Sequence, residues 1–251
     1  MRGETTGVAC SLREIFSSMQ GEGLALGQRH IFLRFPACNL NCAYCDTPRD
    51  PCPTFCCWER TPGKRDFAFL PNPLTPDQIM ATVNKWDLTL HHAFSLTGGE
   101  PLLYVDFLTR LIPLLTGTRE GIYLETNGTL PEQLKRIISL VNIIAMDFKL
   151  PSSSCLPPFW EKHQQFLSVA QQKDVFVKIV VTENTTDAEI KQALKVIKAV
   201  KEVAVIIQPV TLPANRPGVS PARILAIQEL ALRELREVRI IPQVHKWLQQ
   251  L

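Results

Sequence analysis

Cys38, Cys42 and Cys45 carry the clearest chemistry in this chain, as a C-x3-C-x2-C run inside RFPACNLNCAYCDTPRD, residues 34–50. A disulfide uses two thiols and a structural zinc site uses four ligands. Three thiolates suit a four-iron, four-sulfur cluster in which three irons each take one cysteine. The remaining iron then stays open to bind a small molecule and pass it an electron. Taken alone, the spacing leaves spare thiols and three legs of a zinc site as alternatives.

Other polar residues fall at positions with a common logic. The turn Gln20-Gly21-Glu22-Gly23 offers an amide and a carboxylate between glycines that let a ligand approach the backbone. Arg34 ends the apolar run HIFLRF and needs a partner, because an unpaired buried charge is costly. A substrate carboxylate would supply one bidentately, and so would an internal Asp or Glu. Further on, Thr97-Gly98-Gly99-Glu100-Pro101, Glu125-Thr126-Asn127, Asp147-Phe148-Lys149 and Gln208-Pro209 each close an apolar run.

The elements that must position these groups alternate. Strands are expected at 30–35, 93–97, 121–125, 142–148, 175–181, 203–207 and 238–241, with helices between most of them. Thr75-Pro76-Asp77 and Ser220-Pro221 are helix starts, with a capping hydroxyl and proline in the first turn. The strands are continuously apolar, as expected when both faces of a parallel sheet are covered. The expected fold is therefore α/β, an incomplete parallel β/α barrel of about six strands, with a flat doubly wound sheet as the alternative. Residues 1–251 read as one domain, with 51–73 as an inserted, proline- and cysteine-rich loop after the thiol run. In such folds the C-terminal strand ends hold the active site, which is where the polar groups above fall.

Composition narrows the partners. The chain has 251 residues, 45% hydrophobic, with 27 basic against 24 acidic side chains. That balance argues against nucleic acid and for a small-molecule substrate. The N-terminus MRGETTGVACSLREIF has no apolar core of a signal peptide, and no run is long enough for a membrane span. Eight cysteines without a secretory signal read as reduced thiols in the cytoplasm.

The thiol spacing with Tyr44 before the last cysteine, followed about 50 residues later by GGEP, resembles the radical S-adenosylmethionine (SAM) superfamily. A narrower resemblance rests on EIFSSMQGEG, G-Q-x-x-x-F-x-R-F, C-N-L-x-C-x-Y-C-D-T, TGGEP, ETNG and PQVHK in that order. This set is similar to the 7-carboxy-7-deazaguanine synthase family. The resemblance implies ring contraction of 6-carboxy-5,6,7,8-tetrahydropterin to 7-carboxy-7-deazaguanine with loss of ammonia, in queuosine-type 7-deazapurine biosynthesis. It implies a [4Fe-4S] cluster on Cys38, Cys42 and Cys45, and magnesium at Thr47. It implies SAM against Tyr44, Cys45, Asp46, Gly99, Asp147, Phe148, Lys149 and Gln208. The pterin is then expected against Met19, Gln20, Gly21, Glu22, Arg34, Thr97 and His245. A flavodoxin- or ferredoxin-type electron donor and a homodimer also follow from it.

The chain departs from that family pattern in three places. Residues 51–73 are cysteine-rich, with Cys52, Cys56 and Cys57 available as spare thiols or auxiliary metal ligands. The fourth strand ends DFKLP where several relatives carry Ser-Pro-Lys. The chain continues past His245 through KWLQQL. Two other readings stay open at this level: an activating enzyme that makes a radical on a protein partner, and a non-catalytic iron–sulfur protein.

Overall fold

The computed structural model describes residues 8–48 and 50–251. The first seven residues of the stretch expected to lack a signal sequence lie outside the described residues. In chain order the elements are β1 (Glu14–Met19), β2 (Arg29–Phe35), β3 (Phe55–Glu59), β4 (Phe67–Pro71), α1 (Pro76–Val83), β5 (Ala93–Gly98), α2 (Val105–Leu111), β6 (Gly121–Thr126), α3 (Pro131–Ile137), β7 (Ile143–Asp147), α4 (Pro151–Ser154), α5 (Trp160–Ala170), β8 (Asp174–Val181), α6 (Asp187–Lys198), β9 (Val205–Pro209), β10 (Thr211–Leu212), β11 (Arg216–Pro217), α7 (Pro221–Leu232), β12 (Val238–Ile240) and α8 (Val244–Trp247).

Seven strands, β2-β5-β6-β7-β8-β9-β12, pair in parallel and in chain order. A doubly wound sheet reverses its order at a switch point. This one never does, so every crossover packs on the same side. Accordingly, α2, α3, α5, α6 and α7 contact one another in sequence as a single outer layer. The result is the partial barrel, with seven parallel strands where about six were expected. The helix starts also behave as read: Thr75 caps α1 and Ser220 caps α7 through their side chains.

Residues 51–73 are the main correction. They form a β-hairpin, β3 and β4, which extends the sheet to ten strands through a parallel pairing of β3 with β1. The five-residue runs FCCWE and FAFLP are short, and their partner β1 lies far upstream in sequence. Local pattern did not identify them because the free edge of β1 supplies the template.

Two apolar layers result. The larger lies between the sheet and the outer helices. The smaller fills the barrel floor with Ala25, Ala93, Tyr123, Ala145, Phe176 and Ile206. The QGEG turn, residues 20–23, faces this interior: Gln20 is buried, and a Cβ on Gly23 would meet Phe176 and Tyr123. No helix among the described residues is long and apolar enough to cross a membrane.

Candidate active site

A cavity of about 710 Å³ opens at the C-terminal strand ends. Its wall follows the two-residue alternation of strands: Tyr123, Glu125 and Asn127 from β6 and its end, Ala145, Asp147 and Lys149 from β7, Phe176, Lys178 and Val180 from β8. Every residue expected at the metal, cofactor and substrate sites lines it, with the single exception of Phe148. The Phe148 side chain is fully buried on the other face, its ring centroid 4.2 Å from that of His163 and 5.9 Å from that of Trp160. Alternation sends Asp147 and Lys149 into the cavity and the residue between them into the core.

The thiol loop is pinned to neighbouring strand ends. Gly99 N–H donates to Phe35 O at 2.9 Å, and Glu100 N–H to Ala37 O at 2.7 Å. A Cβ on Gly99 would lie 2.0 Å from Ala37 O, and Gly98 sits at φ +113°. The paired glycines thus let β5 press against the backbone that leads into Cys38. Asn127 Nδ2 donates to Asn39 Oδ1 at 2.8 Å and approaches Cys38 Sγ at 3.7 Å. Glu100, fully buried, accepts from Asn127 N–H, Leu102 N–H and the Thr126 hydroxyl, tying the ends of β5 and β6 together.

Cys38 and Cys45 are exposed and Cys42 is buried, and all three face the cavity. Burial pushes the Cys42 thiol up to about 11. Among the described residues, no three His, Cys, Asp or Glu side chains stand close enough together to hold a metal ion as placed. The three thiols share one cavity wall, and soft thiolates three in number suit a cluster with one open iron. Cys52, Cys56 and Cys57 do not line the cavity, and Cys56 is wholly buried in the hairpin.

Beyond the thiols the wall is charged. Lys149 Nζ donates to Tyr44 Oη at 3.0 Å and pairs with Asp147 Oδ2 at 2.7 Å. Burial is the largest single influence and works against the Lys149 ammonium, but Asp147, Tyr44 and Cys42 together outweigh it and raise the affinity for its proton. Asp147 Oδ1 and Gln208 Oε1 are buried acceptors with no partner among the described residues. Asp46 is held by Lys246 at 2.8 Å, which ties the thiol loop to α8.

At the opposite side, Gln20 Nε2 donates to Glu125 Oε1 at 2.8 Å, and Thr97 Oγ1 to Glu125 Oε2 at 2.8 Å. Glu22 is paired with Lys178 through Oε2 and accepts from Gln243 Nε2 at 2.8 Å through Oε1. Burial alone would raise the Glu22 carboxyl, yet Lys178, with His245 and Gln243, brings it down to about 2. Val244 N–H donates to Gly21 O at 3.0 Å, which seats α8 and His245 on the QGEG turn. Burial lowers the His245 imidazole below its usual range, against the pull of Glu22. Arg34 takes the internal partner: its Nε pairs with Glu14 Oε2 at 2.7 Å across the β1–β2 register. Its terminal nitrogens have no partner among the described residues and remain available at the cavity.

The wall includes charged and polar residues that were not assigned a role from sequence, Lys178 and Gln243 among them. Lys178 left a signal as the lone charge in the apolar strand VFVKIVV, and Gln243 lies inside PQVHK. Leu251, at the end of the KWLQQL extension whose part in the substrate site the sequence left open, also lines the cavity.

Known proteins match this arrangement along most of the chain. The radical SAM superfamily model matches residues 32–231. A 7-carboxy-7-deazaguanine synthase of Geobacter sulfurreducens is 46% identical over 246 residues, covering 96% of this chain and 97% of the relative. One from Methanothermobacter thermautotrophicus is 32% identical, covering 94% and 95%. The crystal structure of QueE from Escherichia coli superposes with a TM-score of 0.57 at 21% identity, covering 94% of this chain and 95% of that one, a likeness of fold. By sequence over its whole described barrel, and by a thiol-lined cavity at the strand ends, this chain belongs to the 7-carboxy-7-deazaguanine synthase family of the radical SAM superfamily.

Proposed function

We propose that this chain contracts the ring of 6-carboxy-5,6,7,8-tetrahydropterin to 7-carboxy-7-deazaguanine with loss of ammonia, within queuosine-type 7-deazapurine biosynthesis. The observation that carries this reading is one cavity with three thiols at one end and the Gln20–Glu22–Glu125 wall at the other. A [4Fe-4S] cluster and SAM, when bound, supply the electron transfer and carbon radical chemistry that start the reaction.

The residues of the chain bind, orient and exclude water. Cys38, Cys42 and Cys45 hold the cluster. Tyr44, Asp46, Gly99, Asp147, Lys149 and Gln208 face SAM, with the orphan acceptors of Asp147 and Gln208 free to take its donors. Phe148 contributes no side chain to this wall. Glu22, kept anionic, accepts from the N–H-bearing edge of a pterin, and Gln20 and Thr97 hold Glu125 in place beside it. Met19, Gly21 and His245 close this side, and the unpaired end of Arg34 meets the substrate carboxylate. Thr47, on the cavity wall, would offer the protein oxygen for magnesium, a hard cation suited to oxygen ligands. Family likeness supports a flavodoxin- or ferredoxin-type donor, a homodimer and a cytoplasmic location.

The test is mass spectrometry of products from the anaerobically reconstituted protein with SAM, the carboxypterin and a reductant. 7-Carboxy-7-deazaguanine with one ammonia per turnover is the expected outcome. Cleavage of SAM with the pterin left unchanged refutes the substrate.

A further inference from the structure

The pair Glu22–Lys178 is not explained by the fold alone. Lys178 lies within β8, and a lysine inside an otherwise apolar strand faces a large desolvation penalty unless it is paired. Its side chain is only 14% exposed, and that exposure is to the cavity. The register of β7 and β8 sets Lys178 directly beside Asp147. From there its ammonium reaches two carboxylates, Glu22 Oε2 and, at 3.6 Å, Asp147 Oδ2.

The two carboxylates belong to wall segments assigned to different ligands. Glu22 sits on the QGEG turn, in the wall assigned to the pterin. Asp147 is paired with Lys149, which donates to Tyr44 on the thiol loop. Lys178 thus joins the pterin wall to the Asp147–Lys149–Tyr44 chain by ion pairs.

We propose that Lys178 is a positioning residue for this reaction: it holds Glu22 charged and oriented for the pterin's N–H edge and ties that wall to the cofactor wall. The inference rests on the pterin reading above. Each carboxylate oxygen has two acceptor positions. With Lys178 on Oε2 and Gln243 on Oε1, one position per oxygen is left, which matches two parallel donors on a heterocycle edge. A neutral carboxyl at the same place would present one donor and lose that match.

The electrostatics around Glu22 follow the geometry. Lys178 from β8 and His245 from α8 favour its charged form, while Tyr123 and Glu125 from β6 and Asp147 from β7 stand close by as further charged or titratable neighbours. Removing the ammonium leaves burial unopposed except by His245 and Gln243. The Glu22 carboxyl then climbs, and its neutral form fills as pH falls.

The experiment titrates 6-carboxy-5,6,7,8-tetrahydropterin, and separately SAM, into anaerobic holoenzyme by calorimetry between about pH 5.5 and about pH 8, a range bracketing ordinary carboxyl and imidazole behaviour. Lys178→Met, Lys178→Gln and Lys178→Arg are compared with the unaltered chain. Truncation of one partner of a buried charge pair is expected to weaken pterin binding roughly 30-fold or more at neutral pH. SAM affinity should fall by a smaller factor than pterin affinity, because Asp147 keeps its 2.7 Å pair with Lys149 when Lys178 is lost. Pterin binding by Lys178→Met and Lys178→Gln should weaken further as pH falls, relative to the unaltered chain, and Lys178→Arg should recover most of the affinity. Equal loss of pterin and SAM affinity, no added pH dependence, or no rescue by arginine overturns the proposal. So does failure of both neutral variants to take up iron, which marks a structural role. If the unaltered holoenzyme does not bind the pterin, the substrate reading fails first and this inference with it.

Discussion

Replacing Gly21 by alanine tests how the substrate wall is built. An added Cβ there would lie 2.2 Å from His245 Nδ1, 2.4 Å from its Cβ and 2.6 Å from its Cγ. All three are well inside contact distance, so the imidazole must retreat by about 1 Å or more. Retreat pulls on the Val244 N–H to Gly21 O bond that seats α8 on the turn. Overpacking of this kind destabilises by about 1–3 kcal/mol. For a chain of this size each kcal/mol moves Tm by roughly 2–4 °C, so a fall of roughly 2–12 °C is expected. The assay is an anaerobic thermal scan beside steady-state kinetics. KM for the pterin should rise about tenfold or more, the effect of misplacing a binding group by about 1 Å, with SAM cleavage retained. His245→Gly removes all three clashing atoms, so the double variant should recover Tm without recovering pterin affinity. A Gly21→Ala protein with unaltered Tm and pterin KM would refute the seating of α8 on the QGEG turn.

Other outcomes follow from the same geometry. Cys38→Ala, Cys42→Ala or Cys45→Ala should each abolish SAM cleavage and sharply reduce bound iron, whereas Cys52→Ala should leave the iron content of the anaerobic protein unchanged. Gly99→Ala sets a Cβ 2.0 Å from Ala37 O and 2.9 Å from Cys38 N, backbone against backbone. It should lower iron incorporation and Tm together, read by metal analysis and a thermal scan. Burial, with His92 and His91 nearby, lowers His30 to about 3. Between about pH 6.5 and that value the unfolded chain binds one more proton at this site than the folded one, so stability falls as pH falls. The slope is about 1.4 kcal/mol per pH unit for one such group, and His30→Phe should remove it from the acid limb of a denaturation series.

The barrel was legible where each element carried its own signal. Continuous apolar runs such as VFVKIVV and NIIAMDF read as covered strands, and Thr75-Pro76 and Ser220-Pro221 mark helix starts by local chemistry. The hairpin at 55–71 was not legible, because each of its strands is five residues long and it joins the sheet through β3 on the edge of β1 rather than through a pattern of its own. Phe148 turns its side chain into the core although it stands between Asp147 and Lys149, a placement its neighbours in sequence did not reveal. The alternation that turns it outward becomes certain only once Asp147 is fixed at the end of β7.

The sequence by itself determined the chemistry: three thiols at cluster spacing, glycines where backbones must meet, and polar groups following apolar runs. Such features act over a few residues, and their physics is local. The tertiary structure decided which of those groups work together. Glu22 and Lys178 are 156 positions apart, and nothing in either neighbourhood names the other. Their pairing depends on strand register, since a shift of one residue in β8 would turn Lys178 from the cavity into the helix layer. Arg34 shows the same division: the sequence required a partner, and only the antiparallel register of β1 with β2 chose Glu14.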